Sequence, residues 1–393
     1  MTKNIVILMD GTSNGITSQR TNILRLYGCL RKNENQLVYY DPGVGTLGPQ
    51  DIWSRKWHQA SEIWGMATGH GVDANVKDAY RFLVENYDDG KSSGEDRDRI
   101  YIFGFSRGAY TARMLAGFIY TIGLIEPRNL NLLDYAYRAY KRIGEGKEDE
   151  DAFAEVRLYE RILATDRPPI RLLGLFDTVA SVIEPGPRCL PQLKSHAWTS
   201  RNPGVESIRH AVALDERRRM FVAKLWSEGQ VYHQNPFAKD QAVPQDAREV
   251  WFTGTHSDIG GGHSEAEAGL AKISLDWMIE ETRAMGLDYV TQTVNRLVRG
   301  QHDGKDYVAP DAFAEPHDSM TSGWRVLEYI PLPEKGKSLK RLTITNGKHR
   351  DVPAGARIHA SVIARAKDKG NLPPGIPADH TIEGNPADWV AHG

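Results

Sequence analysis

Apolar positions along the chain fall into two alternating patterns. The first is a short continuous run closed by turn residues. Ile5–Met9 is such a run, rich in β-branched side chains and followed by Asp10-Gly11. Leu37–Tyr40, Ile100–Phe105, Ile170–Phe176 and Val250–Thr253 repeat the pattern, with Phe221–Trp226 as a weaker case. Runs of this length without polar alternation suit strands buried on both faces, as in a parallel sheet. The second pattern has helical spacing. It covers Asn22–Leu30, Val72–Tyr87 and Ala266–Met285, and Tyr110–Tyr120 is apolar nearly all round. Strands alternating with helices predict an α/β fold, a mostly parallel sheet with helices on both faces.

Two stretches interrupt this order. Asp88–Asp98 reads as a charged loop. The segment from about 130 to 165 reads as an insertion of two polar helices around the acidic run Glu148–Asp151. Beyond residue 290 the periodicity fades and prolines become frequent. The expected organisation is a core over 1–290 and a loop-rich C-terminal extension over 291–393, packed on that core.

Composition narrows the class. The 393 residues are 40% apolar and 25% charged, with a net charge of −2. Those values fit a folded chain and give no overall basic excess for nucleic acid. Cys29 and Cys189 are too few for a disulfide framework or a thiolate zinc site. Met1–Asp10 lacks the long apolar stretch and cleavage site of a signal peptide. No run approaches the roughly 18 apolar residues of a membrane span. The expectation is synthesis in the cytoplasm, with export by a signal-less route left open.

Gly104-Phe105-Ser106-Arg107-Gly108 matches G-x-S-x-G, and so does Gly90-Lys91-Ser92-Ser93-Gly94. Only the first follows a strand pattern and opens a helix, the setting a nucleophile elbow requires. Ser106 is therefore the candidate nucleophile. A serine needs a base, and the base needs an orienting acid. Asp177 and His256 each follow an apolar run and keep the chain order serine, acid, histidine. Asp215 remains an alternative acid, because Asp177 comes one strand earlier than usual. His210 and His359 are alternative bases. The expected oxyanion donors are the backbone N–H of Arg107 and those of Gly11 and Thr12 after the first strand.

Other chemistries leave traces. Asp10-Gly11-Thr12 resembles the strand-end motif of haloacid-dehalogenase-like phosphotransferases, but Leu8 replaces their first aspartate. Asp258-Ile259-Gly260-Gly261-Gly262-His263 lacks the lysine of a phosphate-binding loop. His256, Asp258 and His263 follow no recognised metal-ligand spacing. The expectation is a site with no metal and no cofactor. A metal-assisted phosphoesterase and a non-catalytic binding or regulatory module on the same fold are the alternatives.

Taken together the motifs resemble a known family, the catalytic domain of type VI secretion phospholipase effectors. The resemblance rests on Asp10-Gly11-Thr12 with Thr21-Asn22, Gly43-Val44-Gly45-Thr46 and Gly104–Arg113. It continues through Phe176-Asp177-Thr178-Val179, Ala213–Arg218 and His256–Gly262. It implies an α/β-hydrolase-like fold and a serine hydrolase that releases fatty acid from phospholipid. Carried onto this chain, it implies Ser106 as nucleophile, His256 as base and Asp177 as acid.

A lipid or small ester substrate implies transient contact with a membrane surface. Trp53, Trp57 and Trp64 lie within 12 residues. Tryptophan favours that interface, so they are candidates for lipid docking, with core packing as the plainer alternative.

Overall fold

The computed structural model describes residues 2–11, 19–43, 70–91, 94, 96–143, 157–159, 161–163, 165–179, 183–185, 191–193, 196–218, 221–233, 242–301, 307–320, 324–325, 332–333, 342–343 and 347–390. Its centre is one eight-stranded sheet. In chain order the strands are β1 (Asn4–Met9), β2 (Gln36–Asp41), β3 (Arg99–Phe105), β4 (Ile170–Phe176), β5 (Val205–Ala213), β6 (Asp246–Phe252), β7 (Arg357–His359) and β8 (Thr381–Glu383). Across the sheet they run β8-β7-β6-β5-β4-β3-β1-β2, and every neighbouring pair is parallel.

The strand alternation divides the core in two. Ile5, Ile7, Ile100 and Ile102 face one layer, with α2 (His70–Asn86), α3 (Arg107–Ile122) and α4 (Leu133–Ile143). Val6, Leu8, Tyr101 and Phe103 face the other, with α1 (Asn22–Cys29), α6 (Gly269–Ala284) and α7 (Thr291–Leu297). Side chains that point alternately to opposite faces thus meet an apolar helix on each side, which is why the strands read as continuous apolar runs. Among the described residues, no helix is long and apolar enough to cross a membrane.

The structure departs from the sequence expectation in three places. Phe221–Trp226 forms no strand, and β5 lies just before it. Arg209 and His210 break the apolar pattern of β5, yet both are buried. Arg209 is paired with Asp246 at 2.7 Å and Glu281 at 2.6 Å, and His210 with Glu249 at 2.6 Å. The segment after 290 supplies β7 and β8 to the sheet, with α8 (Ala360–Lys369) packed at that end through Val362 and Ile363. In the 130–165 stretch, α4 is amphipathic rather than polar. It buries Leu133, Ala136, Tyr137 and Tyr140 beside α3. The acidic run Glu148–Asp151 lies outside the described residues.

In an open parallel sheet, ligands bind beyond the carboxyl ends of the strands, near the point where strand order reverses. Here that point lies between β1 and β3. Ser106 follows directly on β3.

Candidate active site

The tight strand-to-helix turn at Ser106 has the geometry of an elbow. Ser106 holds φ 59° and ψ −121°, a region that L-residues rarely enter. Such strain persists only where the surroundings enforce it. The Ser106 N–H donates to the carbonyl of Phe176 at 3.1 Å, fixing the turn to the end of β4. A Cβ on Gly108 would lie 2.2 Å from the Met9 carbonyl oxygen, and one on Gly104 would lie 2.5 Å from the Gly108 carbonyl oxygen. Both glycines of the motif are therefore set by close backbone approach. Arg107 begins α3 immediately behind the serine, so the positive end of that helix faces the elbow.

Asp177 follows β4 in the same way and is also held at positive φ, 38°. Its N–H donates to the Ala211 carbonyl at 2.7 Å, and its Oδ1 accepts from Ala213 N at 3.0 Å. The end of β5 thus cradles the carboxylate. His256 is the first residue of α5 (His256–Gly260), beyond β6. Its Nδ1 lies 2.6 Å from Asp177 Oδ2, and both side chains are buried. The His256 N–H donates to Glu216 Oε2 at 3.2 Å. The imidazole packs against Phe105 with ring centroids 4.7 Å apart, and Phe221 meets it edge-on at 4.9 Å. Phe105 is the residue before Ser106, so the histidine is seated at the elbow.

Two supporting side chains escaped sequence reasoning. Arg350 reaches from the C-terminal extension and grips Asp177, Nη1 to Oδ1 at 2.5 Å and Nη2 to Oδ2 at 3.0 Å. Burial raises the Asp177 carboxyl, but the Arg350 and His256 charges outweigh it and hold the group well below the usual carboxylate range. Nothing in Lys348-His349-Arg350 signals this role. Glu216 is buried and binds Arg218, Ser319 and the His256 N–H together. Its place in Ala213–Arg218 was the only signal available.

The alternative candidates sit elsewhere. Asp215 accepts from Gly254 N at 2.6 Å, while the Nδ1 of His256 goes to Asp177. His359 caps α8, with Nδ1 2.8 Å from Ser361 Oγ, and stacks on Phe252. Burial pushes it down to about 4. His210 is locked within the sheet, Nδ1 to Glu249 and Nε2 accepting from Thr178 N at 3.2 Å. The Gly11 N–H, expected as an oxyanion donor, is instead engaged by Asp10 Oδ1 at 2.7 Å. Asp10 Oδ2 accepts from Thr21 Oγ1 at 2.5 Å and Tyr40 OH at 2.9 Å. A buried carboxylate so occupied braces the loop rather than presenting a nucleophile. Thr12, Trp53, Trp57 and Trp64 lie outside the described residues. His256 is also separate from the cluster that Asp258 and His263 form, which takes His317 as its third member.

One end of the sheet thus carries a serine at a helix N-terminus, an imidazole packed against the phenylalanine that precedes the serine, and a buried carboxylate against that imidazole's Nδ1. Residues 3–281 match the family model described as type VI secretion system (T6SS), phospholipase effector Tle1-like, catalytic domain. An uncharacterized protein of Saccharomyces cerevisiae is 33% identical over 230 residues, covering 56% of this chain and 32% of that protein. A crystal structure of an uncharacterized protein from Pseudomonas aeruginosa is 20% identical, at TM-score 0.39, over 73% of this chain and 46% of that one. The Tle1 effector, solved bound to the VgrG spike of the type 6 secretion system, is 20% identical at TM-score 0.34, over 68% and 52%. The chain thus spans about a third of the yeast relative's length and about half of each solved chain.

Proposed function

The chain belongs to the Tle1-like phospholipase effector catalytic-domain family of type VI secretion, and from that premise we propose that it is a serine esterase acting on phospholipid. Ser106 Oγ attacks the ester carbonyl carbon while His256 Nε2 takes its proton. The Nδ1–H stays on the Asp177 carboxylate, which fixes the tautomer and stabilises the imidazolium. The oxyanion develops at the N-terminus of α3, where the Arg107 N–H is one donor. Collapse of the tetrahedral adduct breaks the C–O bond, and His256 returns the proton to the departing lipid alcohol. Water then attacks the acyl-serine with His256 again as base, releasing fatty acid and restoring Ser106.

The observation that carries this reading is the 2.6 Å contact between His256 and Asp177, on a ring packed against Phe105 at the strained elbow. A binding module needs neither the strained serine nor the paired histidine. Labelling with a fluorophosphonate probe tests the chemistry, and a panel of phospholipid vesicles tests the substrate. Wild type takes up the probe and releases fatty acid, and Ser106→Ala does neither. Probe labelling that persists in Ser106→Ala would remove Ser106 from the mechanism.

A further inference from the structure

A second cluster of chemistry-bearing side chains lies just beyond His256. Asp258 is buried, and its Oδ2 accepts from Thr255 N at 2.9 Å, Thr255 Oγ1 at 3.0 Å and His317 N at 3.1 Å. Those donors fix the carboxylate and leave Oδ1 turned toward two imidazoles. His317 Nδ1 is 2.6 Å from Oδ1, and His263 Nε2 is 3.6 Å from it. The two rings stack, with centroids 3.6 Å apart and planes at 10°. His263 Nε2 is buried without a hydrogen-bond partner. One ligand atom from each residue lies within 4.8 Å of the others.

We propose that Asp258, His263 and His317 bind one divalent transition-metal cation of the zinc class, which ties the C-terminal segment to the loop carrying His256. Two imidazole nitrogens and one carboxylate oxygen are the donor set that zinc takes, whereas calcium and magnesium favour oxygen alone. The partnerless His263 nitrogen is the group that gains most. A buried polar atom costs free energy until something fills its lone pair. His263 is carried into place by the turn Gly260-Gly261-Gly262, where Gly261 at φ 80° lets the chain reverse after α5. His317 binds through Nδ1, the nitrogen that faces Asp258, with its ring proton on Nε2. The hydrogen bonds from Thr255 and the His317 backbone to Oδ2 are the outer support that fixes a metal-bound carboxylate. Water completes the coordination. The ion bridges residues 258–263 of the core and residue 317 of the extension, and takes no part in acyl transfer.

The test uses the untagged full chain, stripped with a chelator and checked for folding by circular dichroism. Calorimetric titration with Zn²⁺ should give one equivalent bound, a rise in Tm, and, with Co²⁺, the visible absorption of a four-coordinate site. His263→Ala and His317→Ala should each weaken binding by more than the roughly 10–100-fold that outer-shell changes cost. Ser106→Ala should bind as wild type does, which separates this outcome from the esterase reading. Folded, stripped wild type that takes up no Zn²⁺ in excess overturns the proposal. So does equal affinity in wild type and in folded His263→Ala.

Discussion

Replacing Arg350 with glutamine tests how the candidate acid is held ionised inside the protein. Asp177 is fully buried, and Arg350 is 8% exposed, so solvent screens their pairing little. Removing one member of such a pair leaves an uncompensated buried charge, a loss of about 3–5 kcal/mol. His256 Nδ1 and Ala213 N still donate to the carboxylate, which places the expected loss near the lower end, about 3 kcal/mol. The pH dependence gives a sharper check. Asp177 is depressed in the folded state, so its stabilisation is full above the unfolded carboxylate value of about 3.9. It is lost as pH falls from there through the folded value. Glutamine leaves much less of that stabilisation to lose. The unfolded carboxylate is common to both proteins, so the gap between wild type and Arg350→Gln holds from neutrality downward and narrows only once pH falls through the variant's own, higher folded Asp177 value. Urea unfolding followed by tryptophan fluorescence, run from pH 7 down to pH 3, measures both features. Turnover of a soluble ester should fall in the variant, but less than in Asp177→Asn. A gap below about 0.5 kcal/mol at pH 7, the size that surface changes without a buried partner give, would refute the argument, and so would a gap that widens as pH falls.

Ser106→Ala should lose on the order of 10⁶ in kcat with its urea midpoint unchanged, while Ser92→Ala should change neither quantity. His256→Ala should match Ser106→Ala, and combining them should add nothing, because the two act as a unit. Asp177→Asn should cost about 10⁴ through the wrong histidine tautomer. Asp215→Asn should be mild, and the reverse ranking in a steady-state assay would move the acid to Asp215. Gly108→Ala would place a methyl 2.2 Å from the Met9 carbonyl oxygen and 2.4 Å from that of Asp10. Neither backbone atom can step aside cheaply, so thermal unfolding should show a loss of at least about 1–3 kcal/mol, accompanied by reduced activity.

Much of the framework was legible because it is written in local periodicity. Ile5–Met9, Ile100–Phe105 and Ile170–Phe176 are apolar at every position that a doubly covered parallel strand must bury, and each is a strand. The elbow is equally local. A serine between two glycines after such a strand, with an apolar helix next, leaves the backbone one compact way to turn, and Ser106 takes it at φ 59°. The order of Asp177 and His256 could be read for the same reason, as each closes an apolar run.

The tertiary structure decided what depends on charges far apart in the chain. β5 was missed because Arg209 and His210 look like surface residues, and their burial rests on the carboxylates of Asp246, Glu281 and Glu249, which are distant in the chain. The extension past residue 290 looked loop-rich because β7 and β8 are three residues each, too short to show a period. β7 is a strand because the open edge of β6 supplies its hydrogen-bond partners, and β8 because the edge of β7 does so in turn. Arg350 binds Asp177 across 173 positions, and His317 meets Asp258 across 59. Periodicity records which face of an element is buried. It carries no record of which distant charge will lie against a buried carboxylate, because that partner is chosen by how the elements pack.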